Sequence, residues 1–242
     1  MKNITHRQLQ LKSCIMSGCI ILTVLIASAI NASAQKAVVD SVFSKHGLDQ
    51  FILDPANFRL PVDHAFDLKE STITAGTTKV IEAKFDPSHP PKDQWTVVSV
   101  DGKSPSLYES NTFRNTKAKQ AVDKPDDKTY KIESESADKL VISYKLEAKS
   151  IPRETDFLKD CRVYMAIDLK TKHLSQLQLL NEKPVKVGPL QAKKFELVTK
   201  YTYNETTKRY LPASDNLILD AEFLKKAVTT QIKTEYSNYI KK

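Results

Sequence analysis

The histidines are the residues of this chain whose side chains most readily bind a metal or transfer a proton at neutral pH. Beyond the first 34 residues they are His46, His64, His89 and His173. No two of them have the short spacing with which one helix or loop presents two imidazoles to a zinc ion. Each is interpreted as a surface side chain, and the sequence predicts no metal site.

Other catalytic patterns are also missing. The serines lie in no Gly-x-Ser-x-Gly elbow, and four glycines beyond residue 34 are too few for a phosphate-cradling loop. Asp123, Asp126 and Asp127 lack the alternating spacing and turn glycine of a calcium loop, which favours a polar turn. Cys161 lies in an apolar strand pattern, typical of a buried thiol. We therefore expect a protein that is not an enzyme and carries no cofactor.

The first 34 residues have the pattern of a cleavable signal peptide. An apolar stretch over residues 20–30 is too short to span a bilayer, and the small residues Ala32, Ser33 and Ala34 follow it. The basic residues of this segment are Lys2, Arg7 and Lys12. Cleavage between Ala34 and Gln35 is expected, which predicts a periplasmic or secreted domain over residues 35–242 with no transmembrane span.

Two features of the N-terminal segment bear on how the mature chain behaves. Cys19 follows a lipoprotein-like Met16-Ser17-Gly18, but the apolar stretch comes after this cysteine instead of before it, so lipidation is the less favoured alternative. Removal of the segment leaves 34 Lys and Arg against 29 Asp and Glu, a net charge of about +5. These lysines are spread along the chain without an Arg-rich helix, so nucleic-acid binding is not predicted.

Two helices are expected. Residues 37–46 place apolar side chains at helical spacing and end at Gly47. A second helix is predicted to begin near Ser106, which has capping-box spacing to Glu109, and to run to about Gln120.

The remaining chain alternates between apolar and polar residues, with a period of two. Hairpin-forming residues are expected at 168–172, and Leu211-Pro212-Ala213-Ser214 is interpreted as a turn. Strands are predicted at 79–85, 94–100, 130–134, 140–147, 161–169, 174–180, 195–203 and 228–236. The predicted fold is mostly β (α+β), a large curved antiparallel sheet or half-open barrel of eight to eleven strands with an N-terminal helix and one inserted helix.

Large side chains fall on the apolar side of several of these strands. Helices about 10 Å wide cover roughly half of a sheet with strands about 4.8 Å apart, so part of the apolar face is left over. Each aromatic taken singly is well explained as ordinary core. The face as a whole is a candidate for binding an apolar ligand. Its candidate residues are Trp95, Tyr144, Met165, Phe195, Tyr201 and Tyr236.

The segment 163–174, with its Ile-Asp, turn, next-strand order, together with Tyr201-Thr-Tyr and Tyr210-Leu-Pro-Ala-Ser, resembles the periplasmic lipoprotein-carrier superfamily, the outer-membrane lipoprotein-sorting proteins. Residues 85–90 with 95–105 look like a segment of exported bacterial proteins. The carrier resemblance concerns the order of elements from Val38 to Tyr239. It implies a half-open barrel whose concave apolar face accepts acyl chains, with the helices as a lid or plug.

The leading functional expectation is an exported binding or carrier module whose partner is a lipid or an acylated protein. The alternative is a protein-interaction or structural subunit of an envelope assembly that holds no small molecule. An open pocket on the sheet favours the first, and a filled interior favours the second.

Overall fold

The computed structural model describes residues 35–117, 124–224 and 226–242. The predicted signal segment, including Cys19 and Ala34, lies outside the described residues, and so does Asp123. Export and cleavage before Gln35 therefore stay predictions.

Within the described residues, eleven strands form one antiparallel sheet in the order β3-β2-β1-β11-β10-β9-β7-β6-β5-β4, and β8 pairs with β9. The strands are β1 His64–Thr74, β2 Thr77–Phe85, β3 Trp95–Val100, β4 Lys131–Glu135, β5 Lys139–Tyr144, β6 Cys161–Asp168, β7 His173–Asn181, β8 Val185–Val187, β9 Leu190–Asn204, β10 Arg209–Phe223 and β11 Lys226–Lys241. The sheet does not close into a barrel. The predicted mostly β fold with a large antiparallel sheet is confirmed.

Both predicted helices are present, and the predicted end of the second near Gln120 lies outside the described residues. Helix α1 spans residues 35–46 and buries Val39 and Phe43 against the sheet. It ends at Gly47, whose φ of +61° is a conformation that glycine adopts without strain. Helix α2 spans Leu107–Lys117 and begins with the expected capping box. The Ser106 N–H donates to Glu109 Oε2 at 2.9 Å, and the Glu109 N–H donates to Ser106 Oγ at 3.2 Å.

The turn predicted at residues 211–214 is wrong, because this segment lies inside β10. Pro212 pairs with Tyr201 and Ser214 with Lys200, so Ala213 is an extra residue that forms a bulge. A bulge lets a strand accommodate proline, which has no N–H to give to the ladder. The Pro212 carbonyl still accepts a hydrogen bond of 2.8 Å from Tyr239 Oη.

Directly paired residues of an antiparallel sheet lie on the same face, so the pairing register defines one continuous face, which we call the inner face. A row of residues crosses it from β1 to β5: Leu68, Tyr236, Thr234, Asp215, Thr199, Leu177, Met165 and Ile142. Two cores form on it. The large core packs α1 and the 3-10 segments against β5–β10, and the small core packs α2 against β1–β3.

Candidate functional site

An open pocket of about 320 Å³ lies on the inner face at the boundary between the two cores. Its walls come from five strands and from the segment that crosses above them, residues 49–60, which we call the strap. The lining residues are Pro55, Phe58, Arg59, Leu60, Tyr144, Leu146, Val163, Leu177, Leu179, Leu197, Thr199, Tyr201, Pro212 and Asp215. Most of these side chains are apolar, so the pocket can bind an apolar ligand of matching shape.

The strap keeps its place because its own polar groups stabilise two short 3-10 turns, Gln50–Leu53 and Pro55–Asn57. Asp49 and Asp54 cap these turns, each accepting a 2.9 Å hydrogen bond from a backbone N–H two residues later. Ile52 and Leu53 are buried in the large core. The strap is thereby anchored on one side of the pocket.

Aromatic residues close the pocket beneath the strap. Phe58 is buried and meets Tyr201 edge-on, with ring centroids 6.1 Å apart. Burial raises the pKa of the Tyr201 hydroxyl far above its ordinary value, and the nearby negative charge of Asp215 adds to the effect. Burial also raises the pKa of Tyr236, whose Oη donates a 2.7 Å hydrogen bond to Asp215 Oδ2. These tyrosines therefore stay neutral and act as hydrogen-bonding, largely apolar walls.

Two of the described residues that line the pocket are charged, Arg59 and Asp215. Asp215 accepts the hydrogen bond from Tyr236. Arg59 lies on the strap and is half-buried. Among the described residues, no carboxylate oxygen lies within 4.0 Å of its guanidinium, and no hydrogen bond reaches it.

The six residues of the predicted apolar ligand face are divided between the pocket and the cores. Tyr144 and Tyr201 line the pocket. Tyr236 lies beside it through its hydrogen bond to Asp215. The other three are buried in filled parts of the inner face. Met165 and Phe195 belong to the large core, and Trp95 belongs to the small core, where it contacts Phe66, Phe85 and Phe113.

Sequence reasoning did not single out several walls of the pocket. Leu177, Leu179 and Leu197 share a face of predicted strands, and their alternation was a usable signal once β7 and β9 were known to pair. For Phe58 and Arg59 the sequence offered only the breaks at Asp54-Pro55 and Leu60-Pro61, which indicate an irregular segment without saying what lies beneath it.

The sequence interpretation placed all four histidines at the surface, and this is wrong for His64. His64 is 2% exposed at the start of β1, and its Nδ1 lies 2.9 Å from Asp63 Oδ1. His46 contacts Glu135 at 2.7 Å, and His173 stacks on Tyr203 with ring centroids 4.0 Å apart. Across the described residues, no group of three or more His, Cys, Asp or Glu side chains is arranged to hold a metal ion.

Cys161 is buried in the large core, as its strand pattern indicated. Burial raises the pKa of its thiol to about 11, and the negative charges of Asp160 and Glu182 add to the effect. The thiol is therefore protonated at neutral pH and packs as a small apolar side chain.

Two larger concavities have a different chemical character. One of about 630 Å³ carries Lys69, Glu82, Lys84 and Glu235 on its walls, and one of about 690 Å³ carries Lys92, Asp93, Arg114 and Lys117. Charged walls hold water strongly and do not favour an apolar ligand. The smaller pocket under the strap is therefore the candidate ligand site.

Comparison with known proteins gives no relative from which an activity could be transferred, since no protein-family model, curated protein or solved structure matches the chain. In the part of the chain that the structure describes, no helix combines the length and the apolar character needed to cross a bilayer.

Proposed function

We propose that the protein is an exported binding module that holds an apolar ligand, of the kind a lipid acyl chain provides, in the pocket beneath the strap. One observation carries this proposal. The inner face is filled by the protein's own side chains on both sides of the pocket but stays open between them. A pocket of about 320 Å³ is at the lower end of the range typical of small-molecule sites, roughly 300–1,000 Å³.

Burial of apolar surface in the pocket favours binding of an apolar ligand. Leu177, Leu179 and Leu197 are partly exposed and line the pocket, whereas Leu174 on β7 and Ala192 on β9 are 1% and 0% exposed. Burial of apolar surface is worth about 25 cal/mol per Å². Each methylene of a ligand that becomes buried therefore contributes up to about 0.8 kcal/mol, before the cost of immobilising the ligand is subtracted.

The strap offers a route for entry. Its second 3-10 turn, Pro55–Asn57, has no buried residue and is held by a hydrogen bond to the exposed Asp54. Segments with few buried contacts and solvent-exposed hydrogen bonds open at low free-energy cost. The strap can therefore admit a ligand from the side while Ile52 and Leu53 keep it anchored to the large core.

The proposal is tested by titrating the purified protein with Nile red, an uncharged dye whose fluorescence rises in apolar surroundings. The dye should bind, and lipid extracted from bacterial membranes should displace it. Mass spectrometry of protein incubated with the same extract should then detect bound lipid.

A blocked pocket provides the matched comparison. Leu179 and Leu197 are directly paired across β7 and β9, so the double variant Leu179→Phe/Leu197→Phe places two rings side by side in the pocket. Its dye affinity should fall at least tenfold. Val198→Phe adds a ring on the opposite face of β9 and should leave binding unchanged. A protein that binds neither dye nor lipid contradicts the proposal, and recovery of a defined protein partner by crosslinking would then support the interaction-subunit alternative.

A further inference from the structure

Of the two charged side chains that line the pocket under the strap, one has a hydrogen-bond partner among the described residues and the other has none. Asp215 is engaged by the hydroxyl of Tyr236 at 2.7 Å. Arg59, the other charged residue of the lining, has no hydrogen-bond or ion-pair partner among the described residues. Arg59 thus brings unused donors to the lining of an apolar cavity.

Other arginines that are withdrawn from solvent in this fold have partners. Arg162 donates to Glu182 at 2.8 Å and to Ser143 and the Thr129 carbonyl at 3.2 and 3.1 Å. Arg209 lies 3.8 Å from Asp63 and donates to the Ala56 carbonyl. Partly withdrawing a guanidinium from water is offset when its donors find acceptors, and Arg162 follows that pattern, whereas the buried Nε of Arg209 has no partner among the described residues. Arg59 departs from it at the pocket.

The position of Arg59 matches the head of an amphiphile. It is on the strap, the outer wall of the pocket, whereas the sheet beneath supplies Leu177, Leu179, Leu197 and Val163. A long ligand with an apolar tail on the sheet would place its polar end toward the strap and solvent. A guanidinium presents planar, paired donors that fit the oxygens of a carboxylate or a phosphate.

The charge of Asp215 agrees with this arrangement. Its carboxylate is not within ion-pair distance of Arg59 and is already hydrogen-bonded to Tyr236. An anionic head group placed beside Asp215 would be repelled, whereas one beside Arg59 would be attracted. The two charges therefore favour a single orientation for an anionic amphiphile.

From this geometry we infer that the ligand of the pocket is an amphiphile with one anionic head group, a carboxylate or a phosphate, which pairs with Arg59 while its tail lies on the leucines of β7 and β9. The inference rests on the proposed function and adds to it the chemical class of the ligand.

Displacement of Nile red by four probes with the same tail tests the head-group preference: dodecanoate, dodecyl phosphate, dodecanol and dodecyltrimethylammonium, each below its micelle concentration. The two anions should bind about tenfold or more tightly than dodecanol, because a hydrogen bond from a guanidinium is stronger when its acceptor is ionised. The cation should bind most weakly. The ratio of dodecanoate to dodecyl phosphate affinity distinguishes a carboxylate site from a phosphate site.

Three variants assign the preference to Arg59. Arg59→Gln should remove the preference for anions, measured within the variant as the ratio of anion affinity to dodecanol affinity, and Arg59→Lys should keep part of that ratio. Arg153→Gln removes the same charge from an exposed 3-10 segment that does not line the pocket and should change nothing. If all four probes bind the wild type equally, or if Arg59→Gln keeps the anion preference, the inference is wrong while the proposed function survives. If no probe displaces or binds, the proposed function itself fails.

Discussion

Replacing Leu197 by phenylalanine tests whether the pocket is open space or only a shallow feature of a filled core. Leu197 lies on β9, opposite Leu179 on one side and Leu217 on the other, and faces the pocket. The new ring adds three carbon atoms to the side chain. Full burial would be worth about 2 kcal/mol at about 0.8 kcal/mol per methylene, and burial of half of the added surface in an open pocket gives about 1 kcal/mol of stabilisation.

The same enlargement in a filled part of the same face should have the opposite sign. Ile142 on β5 is 0% exposed and pairs with Met165, which is also 0% exposed. Ile142→Phe therefore overpacks the large core and should destabilise the protein by about 1–3 kcal/mol. The two variants should differ in their free energy of unfolding by about 2–4 kcal/mol.

Urea denaturation followed by circular dichroism measures this difference directly, provided that the m-values of the variants agree. Thermal unfolding gives a second measure, since about 1 kcal/mol shifts the Tm of a chain of this length by about 2–4 °C. A Leu197→Phe variant that loses as much stability as Ile142→Phe would refute the existence of usable space under the strap. Both the proposed ligand site and the proposed ligand class would then be wrong, because each depends on that space.

Three further predictions concern the opposite side of the sheet and the core. Arg162→Met should destabilise the protein by about 1–3 kcal/mol in urea, because the buried Ser143 hydroxyl and the Thr129 carbonyl lose the guanidinium as a donor, whereas Arg153→Met should cost less than about 0.5 kcal/mol. Hydrogen bonds from Lys145 and then Arg162 hold the pKa of Glu182 below its ordinary value. The ionised Glu182 therefore stabilises the fold above about pH 4.5, and this stabilisation is lost as the pH falls through the lower pKa of the folded state. Glu182→Gln should make the urea midpoint depend less on pH between about pH 5 and pH 3. Iodoacetamide at about pH 8 should alkylate Cys161 slowly in the native protein and rapidly in urea, and fast native alkylation would contradict its burial.

The local elements of this fold follow from short-range chemistry, which is why the sequence predicts them. The hairpin at residues 168–172 forms because Asp168 Oδ1 accepts the N–H groups of Lys170 and Thr171 at 2.9 and 2.8 Å. The start of α2 follows from Ser106 and Glu109 in the same way. Each of these signals involves residues no more than three positions apart, so neither depends on the rest of the chain.

The failures arise where distant residues decide the structure. Leu211-Pro212-Ala213-Ser214 has the composition of a turn, but β9 pairs with it from Leu211 onward, β11 joins from Ser214, and the bulge at Ala213 accommodates the proline. His64 looks like a loop residue beside Pro61, but the pairing of β1 with β11, nearly 180 residues away, buries it. Local propensity gives way to sheet pairing at both places.

The sequence could predict that the sheet has an apolar face, but not where on that face the pocket lies. Alternation indicates which residues share a face, so the presence of Tyr144 and Tyr201 on an apolar face could be inferred. Which part of that face stays open depends on where the covering segments lie. That is a property of the strand order, in which β11 returns to pair with β1 and separates the small core from the large core.

The strand order also explains why a pocket forms under the strap. The chain must travel from α1, where His46 contacts Glu135 of β4, to His64 at the start of β1, and seven strand spacings of about 4.8 Å separate β4 from β1. That distance is about 34 Å across the sheet, whereas 18 residues of α-helix advance only about 27 Å. The chain reaches far enough because Gln50–Leu53 and Pro55–Asn57 are 3-10 turns, which rise about 2 Å per residue, and Asp49 and Asp54 beside them are extended, at about 3.3 Å per residue. An elongated strap brings fewer side chains to each ångström of sheet than a helix does, so the face beneath it is spanned without being filled.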